Sequence, residues 1–201
     1  MKLVIRIREI NYGDVAVKAM PFLRQAAEKQ SGAAGKTMAA IAQLPDRLIY
    51  EIFDAIPMDQ KNEIVAVFAM ENKENILNAA NKLSTDHKIG VTLADCRVDQ
   101  DLECIALSDK IDYEILAEQF LPEIREKLLG MGGIVGFLRP VIEKASAQQI
   151  CGLLDKLLGN KKEDLIASLI NKKQQKLISL IEDAAQKQNI HLRINTLVVE
   201  P

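Results

Sequence analysis

The sequence predicts an α+β fold in which a unit of one strand, several short helices and a second strand occurs twice. Three observations predict it. Residues 1–100 align with residues 102–201 at a constant offset of 101, without a gap. Alternating apolar segments open and close each half, the period-two signature of half-buried strands. Between them, apolar residues recur at helical spacing, punctuated by Pro45, Pro57 and clusters of glycine.

The alignment holds 14 identical pairs, and the register of residue class carries it further than identity does. Ile10-Asn11-Tyr12 through Pro21 and Arg24 recurs as Ile111-Asp112-Tyr113 through Pro122 and Arg125. Gly32 and Gly35 meet Gly133 and Gly136, and Asp54 and Lys61 meet Asp155 and Lys162. Ile89, Val91 and Leu93 meet Ile190, Leu192 and Ile194. A period of this length is too long for a solenoid, whose repeats run about 20–50 residues. We expect a tandem duplication, with units 1–100 and 101–201 fused as one compact domain about a pseudo-two-fold axis.

Lys2 to Arg8 alternates, with Leu3, Ile5 and Ile7 on one face, and reads as a strand. Asn11 stands at a helix N-cap position. Helical pattern follows to about Lys29, interrupted at Pro21, where the missing N–H predicts a kink. After the Gly32–Gly35 break, helical pattern runs from Lys36 to Gln43, Asp46 to Ala55, Asp59 to Met70 and Lys73 to Leu83. The pattern from Leu44-Pro45 to Ile56-Pro57 is similar to short-helix modules of magnesium-transporter and flagellar-motor proteins, a resemblance that carries over no residue. Lys88 to Val98 closes the unit as a strand.

The second unit repeats the order. A strand over 102–108 leads to the cap residue Asp112 and a helix to Leu129. A break at Gly132, Gly133 and Gly136 precedes further helices, and Ile190 to Glu200 is the last strand. In both closing strands the alternation slips by one residue, near Ala94-Asp95 and Asn195-Thr196, which predicts a β-bulge in each. The polar turn around Gln100 makes the second and third strands an antiparallel hairpin. A two-fold axis then restricts a single sheet to the order 2-3-1-4 or 3-2-4-1. The third strand is apolar on both faces, through Cys104, Ala106, Ile105 and Leu107, and belongs in the centre. The expected sheet is antiparallel, ordered 2-3-1-4, with the helices mainly on one face.

Composition narrows the function. At this length a chain buries roughly 70% of its unfolded surface and needs no disulfide staple. With 26 basic and 28 acidic residues, no basic face announces a nucleic-acid partner. No apolar run reaches membrane-spanning length, and Lys2, Arg6, Arg8 and Glu9 interrupt any leader-like apolar core. Three cysteines without a leader predict a reduced, cytoplasmic protein.

Gly32 to Thr37 resembles the end of a phosphate-binding loop. However, Gln30 replaces the leading glycine, and a helix rather than a strand precedes it. A helix–helix turn is the better reading. Counting from a turn centred on Gln100 places Cys96 opposite Cys104, a candidate redox pair against a simpler reading as small core residues. Tyr12, Tyr113, Arg24 and Arg125 occur in both units and could form two anion sites. The competing reading pairs Arg24 with Asp54 and Arg125 with Asp155 as structural ion pairs. His87 and His191 stand at non-equivalent positions and suggest no metal set, and no cofactor site is indicated. Val4, Ile105 and Leu107 make the second face of the sheet partly apolar and are the candidate interface. The expected function is therefore a non-catalytic interaction or scaffold protein that associates with itself or with a partner protein. The alternative is a small-ligand sensor with its site between the two units.

Overall fold

The computed structural model describes residues 1–29, 40, 43–131 and 134–201, apart from the side chains of 22–29, 134, 136 and 160. The glycine break at Gly32 and Gly35, the Lys36-Thr37 pair, the helical pattern beginning there, and Gly132 and Gly133 lie outside the described residues. So does the side chain of Arg24.

The fold is α+β, with one open four-stranded antiparallel sheet in the order β2-β3-β1-β4. The strands are β1 Lys2–Ile10, β2 Val91–Val98, β3 Glu103–Ile111 and β4 Leu192–Glu200. In the first half the helices are α1 Tyr12–Lys29, α2 Asp46–Ala55, α3 Met58–Glu71 and α4 Lys73–Asp86. In the second they are α5 Tyr113–Gln119, α6 Leu121–Gly130, α7 Ile134–Phe137, α8 Arg139–Lys144, α9 Ala147–Leu158, α10 Lys162–Lys172 and α11 Gln174–Lys187. Asn11 and Asp112 cap α1 and α5 as their positions predict, accepting from the backbone of Asp14 and Ile115 respectively. The two prolines behave differently. Pro21 is carried inside the continuous helix α1, whereas beside Pro122 the chain divides into α5 and α6 at Phe120.

Central to the sheet is the pairing of β1 with β3, in which Val4 faces Ile105. On its other side β1 pairs with β4, from Lys2 opposite Glu200 to Ile10 opposite Leu192. The predicted bulges are present: Asn195 is skipped in the β4 ladder and Ala94 in the β2 ladder. Each bulge resets the alternation, so Leu192, Ile194, Leu197 and Val199 can all turn toward the helices. Leu3, Ile5, Leu197 and Val199 then join a core built on Leu116, Ile124, Leu128, Ile142, Ile150 and Ile166, each of these six at most 1% exposed. Lys2, Val4 and Val198 alternate to the other face.

The hairpin differs from expectation in register. Leu102 takes the left-handed conformation (φ 57°) while remaining buried, and its N–H closes the turn on Asp99 O at 3.1 Å. The turn centre moves by one position, so Cys96 faces Ala106 and Cys104 faces Val98. Cys96 and Cys104 are therefore diagonal neighbours and not a facing pair.

Both sheet edges are covered by side chains that imitate a neighbouring strand. Asn81 of α4 receives the N–H of Leu93 (2.7 Å) and donates to its carbonyl (3.0 Å). Asn171 of α10 does the same for Val199 (2.7 and 2.9 Å), and Glu182 of α11 accepts from Ile194 N–H (2.8 Å). An open edge would be a template for another strand; here these groups are already satisfied. Asn171→Ala orphans two backbone groups of β4 and is expected to cost about 1–3 kcal/mol. Urea unfolding beside exposed Lys82→Ala, expected within about 0.5 kcal/mol of the parent, checks this.

Candidate functional site

Of the positions that recur in both halves, Tyr12, Tyr113 and Arg125 have described side chains, and Arg24 does not. Lys162 sits 4.4 Å from the Tyr113 ring centroid and bonds Asp155 at 2.7 Å. Lys61 lies 5.7 Å from the Tyr12 ring centroid and donates to Asp54 O at 3.2 Å. The Tyr12 hydroxyl donates to Asn62 Oδ1 at 2.6 Å. Lys162 is thus the partner of the Asp155 carboxylate, whereas Lys61 meets the backbone carbonyl of Asp54. Arg125 does not reach Asp155; its Nη2 donates to Ala145 O at 2.6 Å, tying α6 to the start of α9. Its expected ion pair is replaced because Lys162, one turn beyond α9, is better placed to meet Asp155.

All three cysteines are free. Burial pushes the Cys104 thiol up to about 12 and raises Cys96 as well. The thiolate is the reactive species, and burial disfavours it at both positions. Cys151 donates to Tyr113 O at 3.2 Å. Among the described residues no three His, Cys, Asp or Glu side chains gather to hold a metal.

The candidate interface residues do converge. Arg97, Ile105, Val4 and Val198 form one row across the outer face of the sheet. Leu107 stands in the next row beside Lys2, opposite Asp95. Leu107 is 46% exposed and Val198 41%. Lys2 pairs with Glu200 (3.0 Å), Arg6 with Glu103 (2.7 Å), and Asp95 with Lys73. The result is an apolar strip with a rim of paired charges. Val198 completes this strip, although its neighbours Leu197 and Val199 dominate the reading of β4.

A second constellation joins residues far apart in sequence. Asp14, in the first turn of α1, is only 8% exposed. Its Oδ1 accepts from the Tyr50 hydroxyl at 2.6 Å. Its Oδ2 accepts from His191 N–H at 3.0 Å and meets His191 Nδ1 at 2.7 Å. Gly13 makes this possible, because a Cβ there would lie 1.9 Å from the Tyr50 ring. Burial works against the Asp14 charge, but the hydrogen bonds from Tyr50 and His191 outweigh it and hold its pKa below the ordinary value. The same bond pushes Tyr50 up to about 12. Beside His191 lies a cleft of about 430 Å³, walled by Glu9, Asn11, Glu182, Asp183 and Arg193. The sequence signal for this group is a contrast between halves: Asp14, Tyr50 and His191 correspond to Ile115, Cys151 and Gly90.

Comparison with protein families, curated proteins and solved structures finds no match for this chain.

Because the folded pKa of Asp14 is depressed, its contribution is present above the ordinary carboxylate range and is lost as pH falls through the folded value. Asp14→Asn should therefore be about 1–3 kcal/mol less stable than the parent near neutral pH. The gap should close in acid, as unfolding curves across pH will show. Gly13→Ala displaces the Tyr50 ring and should return the Tyr50 titration toward about 10, read by ultraviolet absorbance.

Proposed function

We propose that the chain is a non-catalytic interaction protein that self-associates through the outer face of its sheet, and that it arose as two copies of one unit, 1–100 and 101–201. The duplication reading rests on more than sequence. Val4 and Ile105, which face each other, correspond at the offset of 101. The bulges at Ala94 and Asn195 correspond, as do the positive φ angles of Lys88 and Asn189 (52° and 54°). The backbone bonds Asn11 N to His191 O and Asp112 N to Gly90 O, both 2.8 Å, correspond as well.

The observation that carries the interaction reading is the apolar row Val198-Val4-Ile105, half-buried at Val4 and Ile105 and exposed at Val198, with exposed Leu107 beside it, on a sheet where Leu93 and Val199 of the edge strands already have side-chain partners. An exposed apolar strip rimmed by polar groups marks a surface that meets another molecule. A second copy is the occupant that fits best. The rim carries Lys2, Arg6, Lys73 and Arg97 against Asp95, Glu103 and Glu200, so both signs are interspersed and nearly balanced. Two such faces can stack as sheets do, about 10 Å apart. The free cysteines fit a reducing compartment such as the cytoplasm. Among the described residues no helix is long and apolar enough to cross a membrane.

Light scattering coupled to size-exclusion chromatography tests this reading. The parent chain is expected as a dimer, and Leu107→Arg as a folded monomer with unchanged circular dichroism. A parent that stays monomeric at high concentration, or a Leu107→Arg variant with the parent's mass, overturns it.

A further inference from the structure

The sheet is shared between the two halves of the chain in alternation. In the order β2-β3-β1-β4, each strand from before the turn at Asp99 stands next to strands from after it. Among the described residues no two strands of the same half are neighbours. The helices behave in the opposite way, and their main packing stays within a half. Helix α1 lies against α2, α3 and α4 against β2, α5 against α9, and α10 and α11 against β4. Each half therefore brings its own helices and two strands, and takes its strand partners from the other half.

One short stretch joins the halves, the turn from Asp99 to Leu102. Asp99 closes it. Its Oδ1 accepts from the N–H groups of Asp101 (3.0 Å) and Glu103 (2.9 Å), and its carbonyl accepts from that of Leu102 (3.1 Å). Against these bonds stands Leu102 itself, held in the left-handed region at φ 57°, which a residue with a Cβ adopts only at a cost. Asp99, Gln100 and Asp101 are exposed, so water replaces the turn bonds when the turn opens. In the open chain β2 runs on toward β3, and Leu102 is free to take an extended conformation.

We propose that the Asp99–Leu102 turn is a hinge about which two copies of the chain exchange halves, each completing the other's sheet, with Asp99 as the latch that keeps a chain closed on itself. Outside the turn, every residue of the exchanged pair meets the neighbours it has in the single chain. The two states differ only at the turn and in the entropy of joining two chains, which concentration offsets. A strained hinge tilts the balance toward exchange, and the latch tilts it back. Exchange takes place as the chain folds among its copies, before the latch forms. A chain that has closed keeps its own halves. The exchanged pair leaves the outer strip uncovered, so this association is separate from stacking through Leu107.

The test traps exchange in full-length chains that all carry Leu107→Arg, so that stacking plays no part. One chain carries Leu3→Cys and the other Val199→Cys. Leu3 and Val199 face each other on the inner side of the sheet. Asn171 takes both backbone groups of Val199, so the pair shares no hydrogen bonds and its Cα atoms stand about 4.5 Å apart, within reach of a disulfide. In closed chains the two cysteines never meet. The variants are unfolded, mixed, refolded together at high concentration, oxidised with glutathione disulfide and run on a non-reducing gel. A covalent dimer is expected from the mixture and none from either variant alone. Asp99→Ala in both chains should raise its yield severalfold, because each exchanged pair opens two turns. The second measurement needs no core substitution: light scattering of the Asp99→Ala, Leu107→Arg chain refolded at the same concentration is expected to show a dimer. Absence of the covalent dimer from a mixture whose members both fold, an equal yield from either variant alone, a yield unmoved by Asp99→Ala, or a wholly monomeric Asp99→Ala, Leu107→Arg chain overturns the proposal.

Discussion

The antiparallel pairing of β1 with β3, with Val4 facing Ile105, is the contact on which the rest of the architecture depends. Each strand opens one half of the chain, so neither half's sheet can be completed without the other. The β2–β3 hairpin extends this pair on one side, and β4, the last strand of the chain, extends it on the other. Both β1 pairings span about half or nearly all of the chain. Loop closure of that length must precede the contacts that reward it, which makes folding slow relative to a helical bundle of the same size. The local hairpin is the natural first element, and β1 then docks with Leu3 and Ile5 on the helix-built core.

Among the described residues the two halves contribute differently to the core. The second half contributes a continuous cluster of Leu, Ile and Phe side chains, including Phe120 and Leu128. Among the described residues the first half contributes two small clusters, one on Ala16, Met20 and Ile49 and one on Val15 and Val65, the latter joined by Leu102 of the second half. Helix α4 buries no residue, whereas α11 buries Ile178. The Tyr50–Asp14–His191 chain links α1 and α2 of the first half to the residue that precedes β4. Such a tie is directional, and it leaves one imidazole edge toward solvent.

Much of the fold was legible in the sequence, because its strongest signals are periodic or positional. Alternation in Leu3, Ile5 and Ile7 marked β1, and its slip near Asn195 marked the bulge. The hairpin and the offset of 101 together restricted the sheet order to two choices. The hairpin register was not legible, since it turns on one left-handed residue, Leu102, and apolar residues seldom adopt that conformation. The partner of Asp155 was misread because both Arg125 and Lys162 recur, and only the path of α9 decides which cation reaches it. The outer strip was legible through Val4, Ile105 and Leu107, but Val198 was obscured by the inward Leu197 and Val199. The His191 group escaped a search for shared residues because its members differ between the halves.

Strand β1 joins the outer apolar strip to the cleft beside His191. Val4 lies at the middle of the outer strip, and Glu9 forms part of the wall beside His191, about 17 Å further along the strand. Between them the β1–β4 ladder is irregular at Ile7 and Arg8, opposite Asn195. That irregularity changes the outward set of β1 from Lys2, Val4 and Arg6 to Glu9, and that of β4 from Val198 and Thr196 to Arg193. The strip and the cleft therefore lie on opposite sides of a local twist, and a copy stacked on the strip leaves the cleft open. The same bulge lets the inner residues on both sides of it face the helices. One extra residue per strand thus lets β1 and β4 serve the core, the outer apolar strip and a polar cleft without exchanging faces.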